Sequence, residues 1–74
     1  MLLLSLTNSH IYITDMIKNK QYKLAGKLYD GKFTASEDDL FTLDGEQVSE
    51  STKDEIIRRL NLQLNSSKFN LHIN

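Results

Sequence analysis

Apolar and polar positions alternate most clearly between Tyr22 and Ser49, and two Asp-Gly pairs interrupt the alternation, Asp30-Gly31 and Asp44-Gly45. An Asp-Gly pair between alternating segments predicts a two-residue hairpin turn of type I′. Both corner residues must then take positive φ, which Gly does freely and Asp tolerates. At the first corner Tyr29 should oppose Lys32, Leu28 Phe33, Lys27 Thr34 and Gly26 Ala35. Opposed residues share a face. That gathers Tyr22, Leu24, Gly26, Leu28, Phe33 and Ala35 on a core side and leaves Lys23, Lys27, Lys32, Thr34, Ala25 and Tyr29 on the other. At the second corner Leu43 should oppose Glu46 and Phe41 should oppose Val48, with Phe41, Leu43 and Val48 together.

A helical stripe competes with this reading, because Ile13, Ile17, Gln21, Leu24 and Leu28 fall at helical spacing. Gly26 inside the run, the β-branched and aromatic content of residues 10–14 and the tyrosines at 12, 22 and 29 favour strands instead. Upstream, Ile11, Ile13, Asp15 and Ile17 alternate with His10, Tyr12, Thr14 and Met16. Both sets are partly apolar, which predicts a central strand covered on both sides. Residues 1–6 predict an N-terminal strand in the core or at a subunit contact. Residues 18–21 read as a polar turn, and residues 36–39 as a polar connection of ordinary length.

The pattern changes period after Glu50. Ile56, Ile57, Leu60 and Leu64 form an apolar stripe, which predicts a helix from Thr52 to about Leu64. Ser51 with Asp54, or Thr52 with Glu55, offers a capping box at its start. Asp54 to Arg58 and Glu55 to Arg59 are i,i+4 pairs in the favourable orientation. A closing strand from Lys68 to Ile73 follows, with Phe69, Leu71 and Ile73 inward. The competing arrangement stops the helix near Leu60 and pairs Leu60, Leu62 and Leu64 with that strand across a loop at 65–68. The predicted fold is therefore α+β: one domain over residues 1–74, with a small antiparallel sheet packed on one C-terminal helix.

Length and composition narrow the functional classes. Seventy-four residues allow one small core, which rarely supplies more than ~3–5 kcal/mol without a staple. The chain has no cysteine, so disulfides and thiolate metal sites are excluded and self-association is the remaining common staple. A homodimer is accordingly an open expectation. The apolar run at the start is shorter than a signal-peptide core of ~7–15 residues and lacks a basic flank. Nothing approaches the ~18 apolar residues of a membrane span, so the expected compartment is cytoplasmic.

Charge is segregated. Residues 1–36 hold five lysines against Asp15 and Asp30, a net of +3, and residues 56–74 carry another +3. Residues 37–55 hold Glu37, Asp38, Asp39, Asp44, Glu46, Glu50, Asp54 and Glu55 against Lys53 alone, a net of −7. Such a block is either a solvated face or an acidic edge that engages a basic partner.

Catalytic chemistry finds little support. There is no nucleophile elbow and no locally assembled Ser/His/Asp group. The paired carboxylates sit in the acidic block, where turns and caps account for them. Gly26, Gly31 and Gly45 are too dispersed to cradle a phosphate. His10 and His72 would meet only if the terminal strands paired, with Asp15 nearby, and make a weak metal signal. No enzyme activity, cofactor or metal is expected.

Two binding roles remain. The first is a non-enzymatic protein-binding module that binds its partner through Glu37, Asp38, Asp39, Asp44 and Glu46, with the sheet edge from Asp39 to Val48 as the contact. By size and composition it is of the kind common among phage and mobile-element products that inhibit host nucleases or polymerases. The alternative is a single-stranded nucleic-acid binder using Lys20, Lys23, Lys27, Lys32 and Tyr29 of the first hairpin. A homo-oligomeric structural protein, joined through residues 1–6, is a third.

Overall fold

A computed structural model describes residues 1–65 and 70–73. Strands β1 (Leu2–Leu6), β2 (His10–Asp15), β3 (Lys20–Tyr29) and β4 (Lys32–Thr42) form a meander. Helix α1 (Glu50–Asn65) follows, and β5 (Asn70–Ile73) completes a five-stranded sheet of order β1-β2-β3-β4-β5. The α+β class is as expected, but the sheet is mixed. β5 runs parallel to β4, because α1 carries the chain back along the sheet before β5 enters. Among the described residues no helix is long and apolar enough to cross a membrane.

From Ile13 to Tyr29 the chain forms the end of β2, a turn at residues 16–19 and the whole of β3, and the helical stripe is not used. Asp30 and Gly31 close the first hairpin with φ of 52° and 76°. Tyr29 pairs with Lys32, Leu28 with Phe33, Lys27 with Thr34 and Gly26 with Ala35. The core is built on one face from Leu2, Ile11, Ile13, Tyr22, Leu24, Phe33, Ala35 and Leu40, which meet Ile56, Ile57 and Leu60 of α1. Leu71 and Ile73 pack against its margin, while Phe69 lies outside the described residues.

Several local expectations are corrected. β2 ends at Asp15, and Met16 and Ile17 lie exposed in the following turn, where Asn19 takes positive φ. Only one face of β2 is covered, since His10, Tyr12 and Thr14 stay half-buried on the side away from α1. Residues 36–39 are not a connection between two strands but the middle of β4. The second corner closes a three-residue loop, with Gly45 N–H donating to Thr42 O (2.9 Å) and Thr42 N–H to Glu46 O (2.9 Å). Gly45 alone takes positive φ there, and Phe41 pairs with Gln47 rather than Val48. Such a loop is a type I turn followed by a left-handed glycine, and it slips the register by one residue relative to a type I′ corner.

The helix starts earlier than predicted. Ser49, rather than Ser51 or Thr52, is the cap: its Oγ accepts the Thr52 N–H (3.3 Å) and its carbonyl accepts the Lys53 N–H (2.9 Å). Neither predicted i,i+4 ion pair forms among the described residues, and for Glu55 and Arg59 the sheet side supplies other partners. Glu55 takes Lys18 (3.1 Å) and Arg59 takes Asp15 (2.8 Å).

Candidate functional site

The acidic segment is displayed by an irregularity in the β3–β4 ladder. Pairing runs from Gly26–Ala35 directly to Leu24–Leu40, so Ser36, Glu37, Asp38 and Asp39 lie opposite Ala25 alone. A bulge of this size pushes the surplus chain out of the sheet and resets the side-chain phase. Leu40 becomes the buried residue, and Phe41 turns to the outer face beside Lys23. Gly26 permits the close approach at the bulge. A Cβ there would lie 2.4 Å from the Thr34 carbonyl oxygen and 2.6 Å from the Phe33 ring.

The extruded residues are held in place. Ser36 Oγ accepts the Asp38 N–H (3.3 Å), a turn made by a side chain. Lys53, buried on α1, reaches out to Asp38 Oδ1 (3.1 Å) and Glu50 Oε1 (3.2 Å). Those two carboxylates raise the Lys53 pKa above its ordinary value. Asp38, Leu40, Phe41, Gln47, Val48, Glu50 and Lys53 line a hollow of about 270 Å³ between bulge, turn and helix start. The turn adds Asp44 and Glu46, both exposed, with Thr42 Oγ1 accepting the Glu46 N–H (3.0 Å). Among the described residues β5 accompanies Lys32–Ala35 alone, so the later half of β4 stands at the margin of the sheet, bridged by Gln47.

Glu37, Asp38, Asp39, Asp44 and Glu46 are thus carried by one bulge and the adjacent turn. Glu37 is half-buried, whereas the other four are exposed. Glu50 joins them through Lys53, a contribution that sequence spacing did not single out. On the outer face of the sheet, Lys23, Lys27, Tyr29 and Lys32 fall in one phase, while Lys20 falls in the other, opposite Asp15. That face also carries His10 stacked on Tyr12 at 5.6 Å between centroids. A hollow of about 290 Å³ beside it is lined by His10, Lys23, Ala25, Asp39, Phe41 and Gly45.

His10 and His72 do not meet, because β3 and β4 separate β2 from β5. Among the described residues no three His, Cys, Asp or Glu side chains gather as a metal site. Asp15 serves a different end. Fully buried, it accepts both guanidinium nitrogens of Arg59 (2.8 and 3.3 Å) and the Ile17 and Lys18 N–H groups (3.1 and 3.4 Å). The Arg59 hydrogen bonds, opposed by burial, hold its carboxyl at about 2. The signal was present in the sequence: an acid in phase with Ile11 and Ile13 needs a cationic partner across the core. No family model, curated protein or solved structure matches this chain.

Proposed function

We propose that this chain is a non-enzymatic binding module that docks the acidic margin of its sheet onto a basic surface of a larger protein. Such a surface is one built to hold nucleic acid, and occupation by carboxylates would block it. The observation that carries the reading is the bulge. It lifts Glu37, Asp38 and Asp39 out of the sheet beside the turn carrying Asp44 and Glu46. One lysine, Lys53, compensates Asp38 and Glu50 and fixes their position, leaving the remaining acids available to cations from outside. Fixed carboxylates on a rigid rim favour fast, salt-sensitive association with a basic partner. An inhibitor of a nuclease or polymerase, of the kind phage and mobile elements encode, fits this chemistry.

The test is affinity capture from host lysate with the wild-type chain and with a variant carrying Glu37→Lys, Asp39→Lys, Asp44→Lys and Glu46→Lys. Asp38 is spared because it anchors Lys53. The proposal expects a nucleic-acid-handling protein to be recovered by the wild type and lost with the variant. Equal recovery by both chains rejects the acidic margin.

A second reading has its own support in the outer sheet face, where His10, Tyr12 and Phe41 lie around Lys23 and the same phase continues through Lys27 to Tyr29 and Lys32 at the hairpin tip. Base stacking on aromatic residues with flanking lysines is a single-strand binding mode. Asp39, lining the same hollow as Lys23, works against phosphate there. A low-salt gel shift with RNA and single-stranded DNA separates the readings, because only this one predicts a shift.

A further inference from the structure

The β1 edge of the sheet is uncharged, apolar and only partly closed. Leu2 turns its backbone outward, where the Gln63 side chain accepts its N–H (2.9 Å) and donates to its carbonyl (2.7 Å). The Thr7 N–H bonds inward to His10 O (2.9 Å), so the antiparallel alternation makes Leu3 and Ser5 pair with β2. Leu4 and Leu6 must therefore present N–H and C=O groups to the open edge, as Leu2 does. Among the described residues nothing takes those groups. Leu3 and Leu6 are about half exposed, and Leu4, Leu6, Ile11 and Leu64 line an apolar groove of about 260 Å³. Residues 1–14 carry no Asp, Glu, Lys or Arg side chain. Natural edges of this kind are usually blunted with lysine, proline or a bulge, and β1 has none of these.

We infer that β1 pairs antiparallel with β1 of a second copy, joining two sheets into one of ten strands about a two-fold axis through Ser5. The register follows from the hydrogen bonds. Leu4 faces Leu6 of the second copy and Leu6 faces Leu4, so two exchanged pairs close four main-chain bonds. Gln63 stays on Leu2 and acts as the end stop. A register centred on Leu4 would set Leu2 against Leu6 and displace Gln63 from both chains. Because opposed residues share a face, the leucines of each copy enter the groove of the other beside Leu64. The absence of charge makes the edge compatible with itself, which a lysine-bearing edge would not be.

The interface is small. An edge of five residues is ~17 Å long, and the molecule is 19 Å across its thinnest direction. The two faces accordingly cover about 650 Å² in total, below the size of stable specific interfaces and in the range of weak, transient ones. The dimer is therefore expected to be in exchange with monomer and to grow with concentration.

Two experiments on the full chain test this. Sedimentation over a concentration series should give a monomer–dimer equilibrium, and Leu6→Lys should shift it to monomer with an unchanged far-UV spectrum. Ser5 sits on the proposed axis in a non-hydrogen-bonded pair, where Cα atoms are ~4.5 Å apart. In a chain without cysteine, Ser5→Cys should form a covalent dimer with oxidised glutathione, whereas Leu3→Cys should not. Ser5 is exposed, so this second variant keeps the fold even if Leu6→Lys does not. A wild type that remains monomeric throughout overturns the inference. So does a Ser5→Cys chain that cross-links no better than Leu3→Cys, which would indicate another register or another face.

Discussion

Replacing Asp15 by Asn removes the charge that ties the second strand to the helix while keeping the side chain's shape. Asp15 is fully buried, and its partner Arg59 keeps about a quarter of its side chain in water. The carboxyl is held at about 2, against an ordinary value of 3.8. At about 1.4 kcal/mol per unit, that difference sets an upper bound near ~2.5 kcal/mol. Solvent around Arg59 reduces it to about 1–2 kcal/mol. Asn retains an acceptor for the Ile17 and Lys18 N–H groups but leaves a guanidinium without its counter-charge, so Asp15→Asn should cost about 2–3 kcal/mol at neutral pH. For a chain of this length that is a drop in Tm of about 10–20 °C. The pH dependence carries a sign. A carboxyl depressed in the folded state contributes its full stability above about pH 4 and loses it as pH falls towards 2. Urea unfolding followed by circular dichroism at neutral pH and between pH 4 and 2 measures both effects. The wild type should lose more stability over the acid window than the variant does. A variant within about 0.5 kcal/mol of wild type at neutral pH, the range of an inert surface change, refutes the reasoning. Parallel acid limbs refute it equally.

Other consequences follow from single contacts. Gly26→Ala sets a methyl group against the Thr34 carbonyl and the Phe33 ring, and a thermal melt should show a loss of about 1–3 kcal/mol. Gly31→Ala forces a side chain into φ of 76° and should cost about 1–2 kcal/mol by the same assay, without altering the core. Lys53→Met releases Asp38 from the helix, so amide exchange at Asp38 and Asp39 should accelerate while exchange at Leu24 and Phe33 stays slow. Since the Lys53 pKa is raised in the folded state, its contribution should be complete below pH 10.5 and fade as pH climbs beyond it.

Much of the fold was written in short-range pattern. The Asp30-Gly31 corner fixed a register, and that register sorted Tyr22, Leu24, Phe33 and Ala35 from the lysines between them. The stripe of Ile56, Ile57 and Leu60 likewise marked the helix face that meets the sheet. What escaped depends on distance or on near-equal local options. Ser49, Ser51 and Thr52 are all good caps, and only the chain's path from Val48 decides for Ser49. Asp44-Gly45 suits a two-residue and a three-residue loop alike, and the choice moved the partner of Phe41 from Val48 to Gln47. The polar run at 36–39 looked like a connection because a bulge has no sequence mark of its own. The acids were visible as a block, but their tie to Lys53 and Glu50 required the helix to be laid across the sheet. The parallel entry of β5 and the Asp15–Arg59 pair are likewise products of that packing.

The central claim, an acidic margin that occupies a nucleic-acid surface, is tested most directly by equilibrium competition on the captured partner. Labelled nucleic acid bound to that partner is titrated with this chain at low and at raised salt. The wild type should displace the nucleic acid, with displacement weakened by salt and abolished by Glu37→Lys, Asp39→Lys, Asp44→Lys and Glu46→Lys together. Displacement that the charge-reversed chain reproduces, or a partner whose nucleic acid stays bound at saturating wild-type chain, contradicts the claim.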